Sequence, residues 1–107
     1  MGKKQINKSI KIFIKRAKKI FNPQKIILFG SFAKKKANEY SDVDLVLLSD
    51  KFKTIPQEKR LDYLYELTKD LYPDFHVFGF TPYEFENASK LTIIEEIKKH
   101  GKVIYSV

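Results

Sequence analysis

The hexapeptide VDLVLL at residues 43–48 is the feature that most constrains the fold. An apolar run of this length is typical of a strand that is buried on both faces, and such a strand needs helices against its sheet. Two acids, Asp42 and Asp44, nevertheless stand at its entrance. Aspartate is depleted in strands and is costly to bury without a partner, so these acids need a physical reason to be there.

Asp42 and Asp44 lie two residues apart, so on a strand their side chains project from the same face. Two carboxylates ~4 Å apart repel by about 4 kcal/mol at an effective dielectric near 20, and the pair therefore requires a cation, a shared proton or open solvent. Carboxylate oxygens suit Mg²⁺ or Mn²⁺. The structural alternative, which is the commoner explanation of an isolated D-x-D, is that Asp42 caps a turn after Ser41 and Asp44 lies at an exposed edge.

The remaining chain predicts further strands and helices around this one. Apolar residues at helical spacing predict a first helix that ends at Asn22-Pro23, and a short apolar run from Lys25 to Phe29 predicts a strand. The pattern then predicts a short helix at 32–37, a loop at 38–41, a helix at 57–72, a strand at 74–80, a helix from 91 and a closing strand from 102. We therefore expect an α/β (α+β) fold, a small mixed sheet flanked by helices, in a single domain of residues 1–107.

Composition excludes several classes of protein. The chain has no cysteine, which removes disulfides and thiolate metal sites. No apolar run approaches the ~20 residues that span a bilayer, and the N-terminus lacks the features of a signal peptide, so we expect a cytoplasmic protein without membrane contact.

The net charge of +8 belongs to one element of the chain. Residues 1–25 hold nine of the 21 Lys and Arg residues and no acid, whereas the remainder is close to neutral. A solvated face of an amphipathic helix is the preferred interpretation of these lysines. Nucleic-acid binding is the alternative, and we expect it to be weak.

Gly30-Ser31 follows the first predicted strand directly. The first turn of a helix has unsatisfied N–H donors and a partial positive charge, so this pair can bring two backbone N–H groups and a hydroxyl against an anion. Gly-Ser pairs at strand-to-helix junctions are common, however. A plain helix cap explains such a pair more often than an anion site does.

The complete string resembles the DNA polymerase beta-type nucleotidyltransferase superfamily, whose signature is G-S followed about ten residues later by [DE]-x-[DE]. The longer pattern G-S-x-A-[RK]-G with a later S-D-x-D-L resembles its minimal nucleotidyltransferase branch. Lys35 stands where that branch usually has glycine. The residues that match are Gly30, Ser31, Ala33, Lys34, Ser41, Asp42, Asp44 and Leu45.

The superfamily uses a third carboxylate on a neighbouring strand, and Asp74 is the candidate here. It opens the predicted strand at 74–80, and the following TPYEFE at 81–86 matches a segment of the family. Asp50, Asp62 and Asp70 are poorer candidates, because the first lies past its strand and the others fit a solvated helix face. His76 shares the face of Asp74, but a single strand histidine is more often a core residue than a ligand or base.

The resemblance implies a mechanism. Two Mg²⁺ ions, or Mn²⁺, would be held by Asp42, Asp44 and Asp74, and Asp74 would also be the general base. The Gly30-Ser31 turn would hold the β- and γ-phosphates of a nucleoside triphosphate, with ATP expected. Lys34 and Ser41 complete the implied nucleotide-binding residues, and Tyr40 could stack on the base.

The resemblance also implies a partner. Proteins of this branch often work beside a separately encoded HEPN-domain protein, as the antitoxin of a toxin–antitoxin pair that adenylylates a tyrosine of the toxin. We therefore expect transfer of a nucleoside monophosphate to a hydroxyl group of such a protein. The alternative is a binding module with this fold whose catalysis is weak or vestigial and which acts by occluding its partner.

Overall fold

The computed structural model describes residues 3–35, 37, 41–88 and 93–107. Five helices, one 3-10 helix and four strands lie within these ranges, and none of these helices is long and apolar enough to cross a membrane. In chain order the elements are α1 (Lys3–Phe21), β1 (Lys25–Phe29), α2 (Gly30–Ala33), β2 (Val43–Leu48), the 3-10 helix (Asp50–Thr54), α3 (Gln57–Thr68), β3 (Phe75–Phe80), α4 (Pro82–Glu86), α5 (Ile93–His100) and β4 (Lys102–Ser106).

The four strands form one mixed sheet in the order β3-β2-β1-β4. β1 runs antiparallel to both β2 and β4, whereas β2 and β3 run parallel. A parallel pair requires a crossover connection, and the 3-10 helix and α3 supply it. The predicted fold class, a small mixed sheet flanked by helices, is therefore confirmed.

β2 is one of the two inner strands and has a hydrophobic cluster on each face. Val43, Leu45 and Leu47 pack into one cluster with side chains of α1 and α3. Val46 and Leu48 pack into the other with Phe85 of α4 and two isoleucines of α5. The continuous apolar run of β2 thus follows from burial on both faces, as its sequence predicts.

α1 buries its apolar stripe, Phe13, Ala17 and Phe21, in the cluster that also contains Leu64 and Leu67 of α3. The helix ends where predicted, because Asn22 adopts a left-handed backbone with φ of 45° and Pro23 follows.

One member of the basic N-terminal run has a structural contact. Arg16 Nη1 donates to the carbonyl oxygens of Leu67 at 3.2 Å and Lys69 at 2.8 Å, at the C-terminal end of α3. These carbonyls have no partner inside their own helix, so the guanidinium satisfies acceptors at a helix C-terminus.

Two predicted helix boundaries are wrong. α2 spans Gly30–Ala33 and not 32–37, because the chain turns at Lys34 and Lys35. α3 ends at Thr68 and not at residue 72, because Lys69 is extended and Asp70 has φ of 68°. The 3-10 helix and α4 were not anticipated. Residues 38–40 of the predicted loop, including Tyr40, lie outside the described residues.

The TPYEFE segment takes part in an ion pair between the buried Arg60 and the half-buried Glu84. Thr81 and Glu84 form a capping box at the start of α4, and Glu84 also receives Arg60 Nη1 at 2.7 Å. The guanidinium of Arg60, only 6% exposed, donates further to the carbonyl oxygens of Phe52, Ile55 and Gly79. The segment therefore fastens α4 to α3 and to the 3-10 helix.

Candidate active site

The acids and the Gly30 turn meet at one end of the sheet. β1 ends there at Phe29, which is paired with Asp44 near the start of β2. β3 also starts at this end, and His76 is the residue opposite Asp44 on that side. Strand pairing alone therefore brings three separate stretches of the chain together.

Gly30 lies directly against the carboxylate of Asp44. Its φ is 72°, and a Cβ atom added to it would overlap Asp44 Oδ2. Glycine is required here for two reasons, namely the left-handed backbone and the absence of space for a side chain. The first turn of α2 consequently starts next to one of the two acids, and its N-cap residue, Phe29, makes no side-chain hydrogen bond to it.

His76 bridges the two acids. Its Nε2 lies 3.5 Å from Asp42 Oδ2 and its Nδ1 lies 3.6 Å from Asp44 Oδ1. The side chain is 59% exposed, whereas that of Asp44 is only 25% exposed. Burial raises the pKa of Asp44, and the Asp42 carboxylate adds to this rise while His76 opposes it. The conflict seen in the sequence, paired acids at the entrance of a buried strand, is present in the fold.

Asp74 immediately precedes β3, and its carbonyl oxygen accepts the Val43 N–H at 2.9 Å. The strands that carry Asp74 and the acid pair are therefore neighbours, as expected, and the Asp74 side chain is exposed. Among the residues that the structure describes, however, no group of three His, Cys, Asp or Glu side chains is arranged to hold a metal ion, although His76 lies close to both acids. The role of Asp74 as third ligand and base stays a prediction.

The donors at the acid pair suit a hard divalent cation. Asp42 and Asp44 supply carboxylate oxygens from one face of β2, and Mg²⁺ commonly uses one or two protein carboxylates with water and phosphate oxygens for the remainder. The site is also partly open to solvent, since the Asp42 side chain is 40% exposed. The two carboxylates therefore fit the Mg²⁺ that the sequence predicts, with these two side chains as its protein ligands.

The other predicted nucleotide-binding residues lie around the same end. Ser31 follows Gly30 in α2 and is half-buried, and Ser41 is half-buried immediately before Asp42. Lys34 Nζ pairs with Glu96 Oε1 of α5 at 3.4 Å on the surface. Lys35, which replaces the family glycine, has φ of 59°. The turn therefore keeps the left-handed backbone that favours glycine, although its residue is lysine.

His76 is the residue that the sequence interpretation undervalued. The expectation of a core histidine is wrong, because the ring is exposed and contacts both acids. The sequence contains one signal: His76 lies two residues from Asp74, so on a strand the two side chains would share a face. The register of β2 against β3, which sets His76 opposite Asp44, cannot be predicted from the sequence.

Comparison with known proteins identifies the family of this chain. The nucleotidyltransferase-domain family profile matches residues 10–104. A Methanocaldococcus jannaschii protein, provisionally named a protein adenylyltransferase, is 35% identical over 77 residues, which are 70% of this chain and 49% of that protein. The chain thus spans about half the length of this curated relative.

Two crystal structures share the fold. A toxin–antitoxin structure with AMP-PNP superposes with a TM-score of 0.65 at 21% identity, over 94% of this chain and 73% of that one. A Sulfolobus solfataricus protein, provisionally described as a nucleotidyltransferase, gives a TM-score of 0.60 at 17% identity, over 99% of this chain and 90% of that one.

Proposed function

Because the chain belongs to the nucleotidyltransferase domain family, we propose that it transfers a nucleoside monophosphate, AMP from ATP, to a hydroxyl group of a partner protein. One observation carries the proposal. The Gly30 turn, a suitable place for the triphosphate, lies directly on Asp44, which shares its sheet face with Asp42. An anion site and an acid pair in contact are the two parts that nucleotidyl transfer needs.

In the proposed reaction the acceptor oxygen attacks the α-phosphorus. An oxygen–phosphorus bond forms, the bond from the α-phosphorus to the bridging oxygen of the leaving pyrophosphate breaks, and the hydroxyl proton passes to a carboxylate, for which Asp74 is the candidate. The uncapped N–H groups of α2 hold the phosphate oxygens, with Ser31, Lys34 and Ser41 nearby. When bound, Mg²⁺ would neutralise phosphate charge and make the acceptor hydroxyl more acidic, and Asp42 and Asp44 would hold it.

The acceptor proposed is a tyrosine of a HEPN-type toxin, with this chain as antitoxin. Support comes from the relative that is provisionally named a protein adenylyltransferase, and from the fold shared with a toxin–antitoxin protein that was crystallised with AMP-PNP.

A second candidate function rests on a specific observation. No third carboxylate joins Asp42 and Asp44 within the described part of the chain, and two acids alone fit a weak or vestigial enzyme. Such a chain would neutralise its partner by binding and not by modification.

ATP labelled at the α-phosphate separates these two functions. The chain, Mg²⁺ and a HEPN-type partner are incubated, and transfer of label to the partner is measured for wild type, Asp42→Asn and Asp62→Asn. Asp62 is an exposed acid of α3 and serves as the matched control. We expect labelling by wild type and by Asp62→Asn, and none by Asp42→Asn. If the wild type binds the partner but transfers no label to it, the chain is a binding module and not an enzyme.

A further inference from the structure

An apolar groove of about 380 Å³ runs between α3 and β3. Leu61 and Tyr65 of α3 line one side, and Phe75, His76 and Phe78 of β3 line the other. Leu61, Tyr65 and Phe78 are 64%, 63% and 39% exposed, which is unusual for apolar side chains that lie together. The groove reaches the candidate active site, because His76 both lines it and contacts Asp42 and Asp44.

The groove also contains a free strand edge. Among the strands that the structure describes, β3 is at the end of the sheet and is paired with β2 alone. The bonds Val43 N–H to Asp74 and Ser49 N–H to Phe80 show that the even-numbered residues of β3 face β2. The backbone groups of Phe75, Val77 and Gly79 therefore point outward. Among the described residues only the Gly79 carbonyl on that side has a partner, Arg60.

This edge lacks the usual protection. Sheet edges are generally blunted by charged residues, prolines or bulges, because unpaired backbone groups invite another strand. β3 reads FHVFGF over six residues, without lysine, acid or proline. The opposite edge strand, β4, begins with Lys102, and its pairing with β1 contains an irregularity.

We propose that this groove is the docking site of the acceptor protein, which binds as an extended segment that adds to the free edge of β3. The outward N–H and C=O groups of Phe75 and Val77 would pair with the backbone of that segment, as in strand addition to other exposed edges. The inference rests on the proposed function, because it names how the substrate of that site is held.

The geometry also fixes which side chains of the segment matter. Successive side chains of an added strand point to opposite faces. One set would contact Leu61 and Tyr65 on the α3 side, and the alternate set would lie on the side of His76, next to the acids. The acceptor segment should therefore alternate apolar residues with a hydroxyl residue. A second copy of β3 cannot be the substrate, because its six residues contain no hydroxyl group.

The probe is the peptide acetyl-Lys-Val-Tyr-Val-Thr-Lys-amide, with two analogues that carry backbone N-methyl groups at alternate residues in opposite phase. Amide resonances of the isotopically labelled protein are followed by NMR without nucleotide. We expect the Phe75, Val77 and Gly79 amides to shift, and only one of the two analogues to lose binding, since just one phase of N–H groups faces β3. Equal binding by both analogues, or no shift at these amides, overturns the proposal.

Two tyrosines of α3 provide a matched pair of variants. Tyr65 lines the groove, whereas Tyr63 does not, and both are exposed, so neither substitution threatens the fold. Tyr65→Lys should weaken peptide binding about fivefold to tenfold, a loss typical of an interface aromatic, and Tyr63→Lys should change it less than about twofold. Equal losses of peptide binding in the two variants would contradict docking in the groove. Self-association of the chain through β3 would contradict it as well.

A last arm separates the docking proposal from the proposed function. The same peptide is incubated with ATP labelled at the α-phosphate and Mg²⁺. Binding with the expected pattern but without labelling supports the groove and counts against the enzyme. Labelling of the tyrosine without the Phe75 and Val77 pattern supports the enzyme and overturns the groove.

Discussion

Ionisation of Asp44 lowers the stability of the fold. Burial, and the nearby Asp42 carboxylate, raise its pKa, so the folded state holds the Asp44 proton more tightly than the unfolded state does. For a carboxyl group shifted in this direction, stability falls as pH rises from the unfolded pKa through the folded one. A side chain that disfavours folding but stays at the site is expected where function selects it.

Replacing Asp44 by asparagine should therefore separate stability from activity. We expect the melting temperature of Asp44→Asn at pH 7 to equal or exceed that of the wild type, because a repulsive charge is removed. The difference should disappear well below the ordinary aspartate pKa of 3.8, where both states of the wild type are protonated. Label transfer should fall by about 10²-fold or more. Thermal melts over a pH series measure the first effect, and an unfolded Asn variant would make Asp44 a structural residue.

Arg60 and Glu84 show the opposite relation between charge and stability. The guanidinium is buried, and its hydrogen bond lowers the pKa of Glu84. The contribution of ionised Glu84 to the stability of the folded state is therefore complete above its ordinary pKa of 4.5. It is lost as the pH falls through the lower pKa of the folded state.

Arg60→Met should destabilise the protein by about 3 kcal/mol, because three carbonyl oxygens and the Glu84 carboxylate lose their partner. Glu84→Gln should cost about 1 kcal/mol at pH 7 and less at pH 4. Urea unfolding at both pH values tests this, with the exposed Glu86→Gln as control. A loss from Glu84→Gln that does not depend on pH would contradict the ionic role.

At the scale of elements, α2 is a helix of four residues with left-handed backbone at its start and in the turn after it. Gly30 and Lys35 occupy these positions with φ of 72° and 59°. Non-glycine residues pay about 1 kcal/mol or more in this region. The two ends should therefore respond to substitution in opposite directions.

Gly30→Ala should destabilise the protein by about 2 kcal/mol or more, since the added methyl group overlaps Asp44 in addition to the backbone strain. Lys35→Gly should be neutral or stabilising by about 0.5 kcal/mol, because relief of strain is partly offset by the entropy of glycine in the unfolded chain. Chemical denaturation of both variants is the measurement. Destabilisation by Lys35→Gly would show that the lysine side chain makes a contribution of its own.

These short elements also mark how far the sequence predicts the structure. β1, β2 and β3 were predicted because apolar runs of five or six residues are a direct sign of burial. The short helix α2 is predicted only with shifted bounds, and the 3-10 helix and α4 are not predicted, because four or five residues are too few for a helical period to be recognised. Their ends are set instead by φ at Gly30, by Ser49 and by the Thr81 capping box.

The candidate site was predictable to a similar degree. The shared face of Asp42 and Asp44 follows from strand geometry alone, whereas the contact of His76 with both acids depends on the parallel register of β2 and β3. Register between distant strands is fixed by tertiary packing, so one sequence cannot supply it. The metal, the nucleotide and the catalytic role of Asp74 remain predictions.

For the whole molecule, the sheet separates the basic helix from the acids. α1 packs on the face of Val43, Leu45 and Leu47, whereas Asp44 projects from the opposite face. The lysines of α1 are therefore poorly placed to bring a bound nucleic acid to the candidate site.

Replacing Lys8, Lys11 and Lys15 by glutamine tests this separation. These lysines are exposed on α1. RNA binding by the wild type should be weak and should fall by orders of magnitude between about 50 and 200 mM salt, as for any contact that rests on several phosphates. The triple variant should bind RNA with a smaller salt slope and should transfer label at an unchanged rate. Loss of transfer in the variant would place α1 in the reaction.

The inner position of β2 in the sheet affects the order in which the strands unfold. Because β2 is hydrogen-bonded on both sides and buried on both faces, its amide protons can exchange with solvent only when the sheet itself opens, whereas β3 and β4 can fray one at a time. Asp44, whose charge disfavours folding, therefore lies on one of the two inner strands, β1 and β2, which open after the edge strands. A molecule in which β3 or β4 has frayed can therefore still hold Asp42 and Asp44 in place at the start of β2. The acid pair is lost only when the fold as a whole opens.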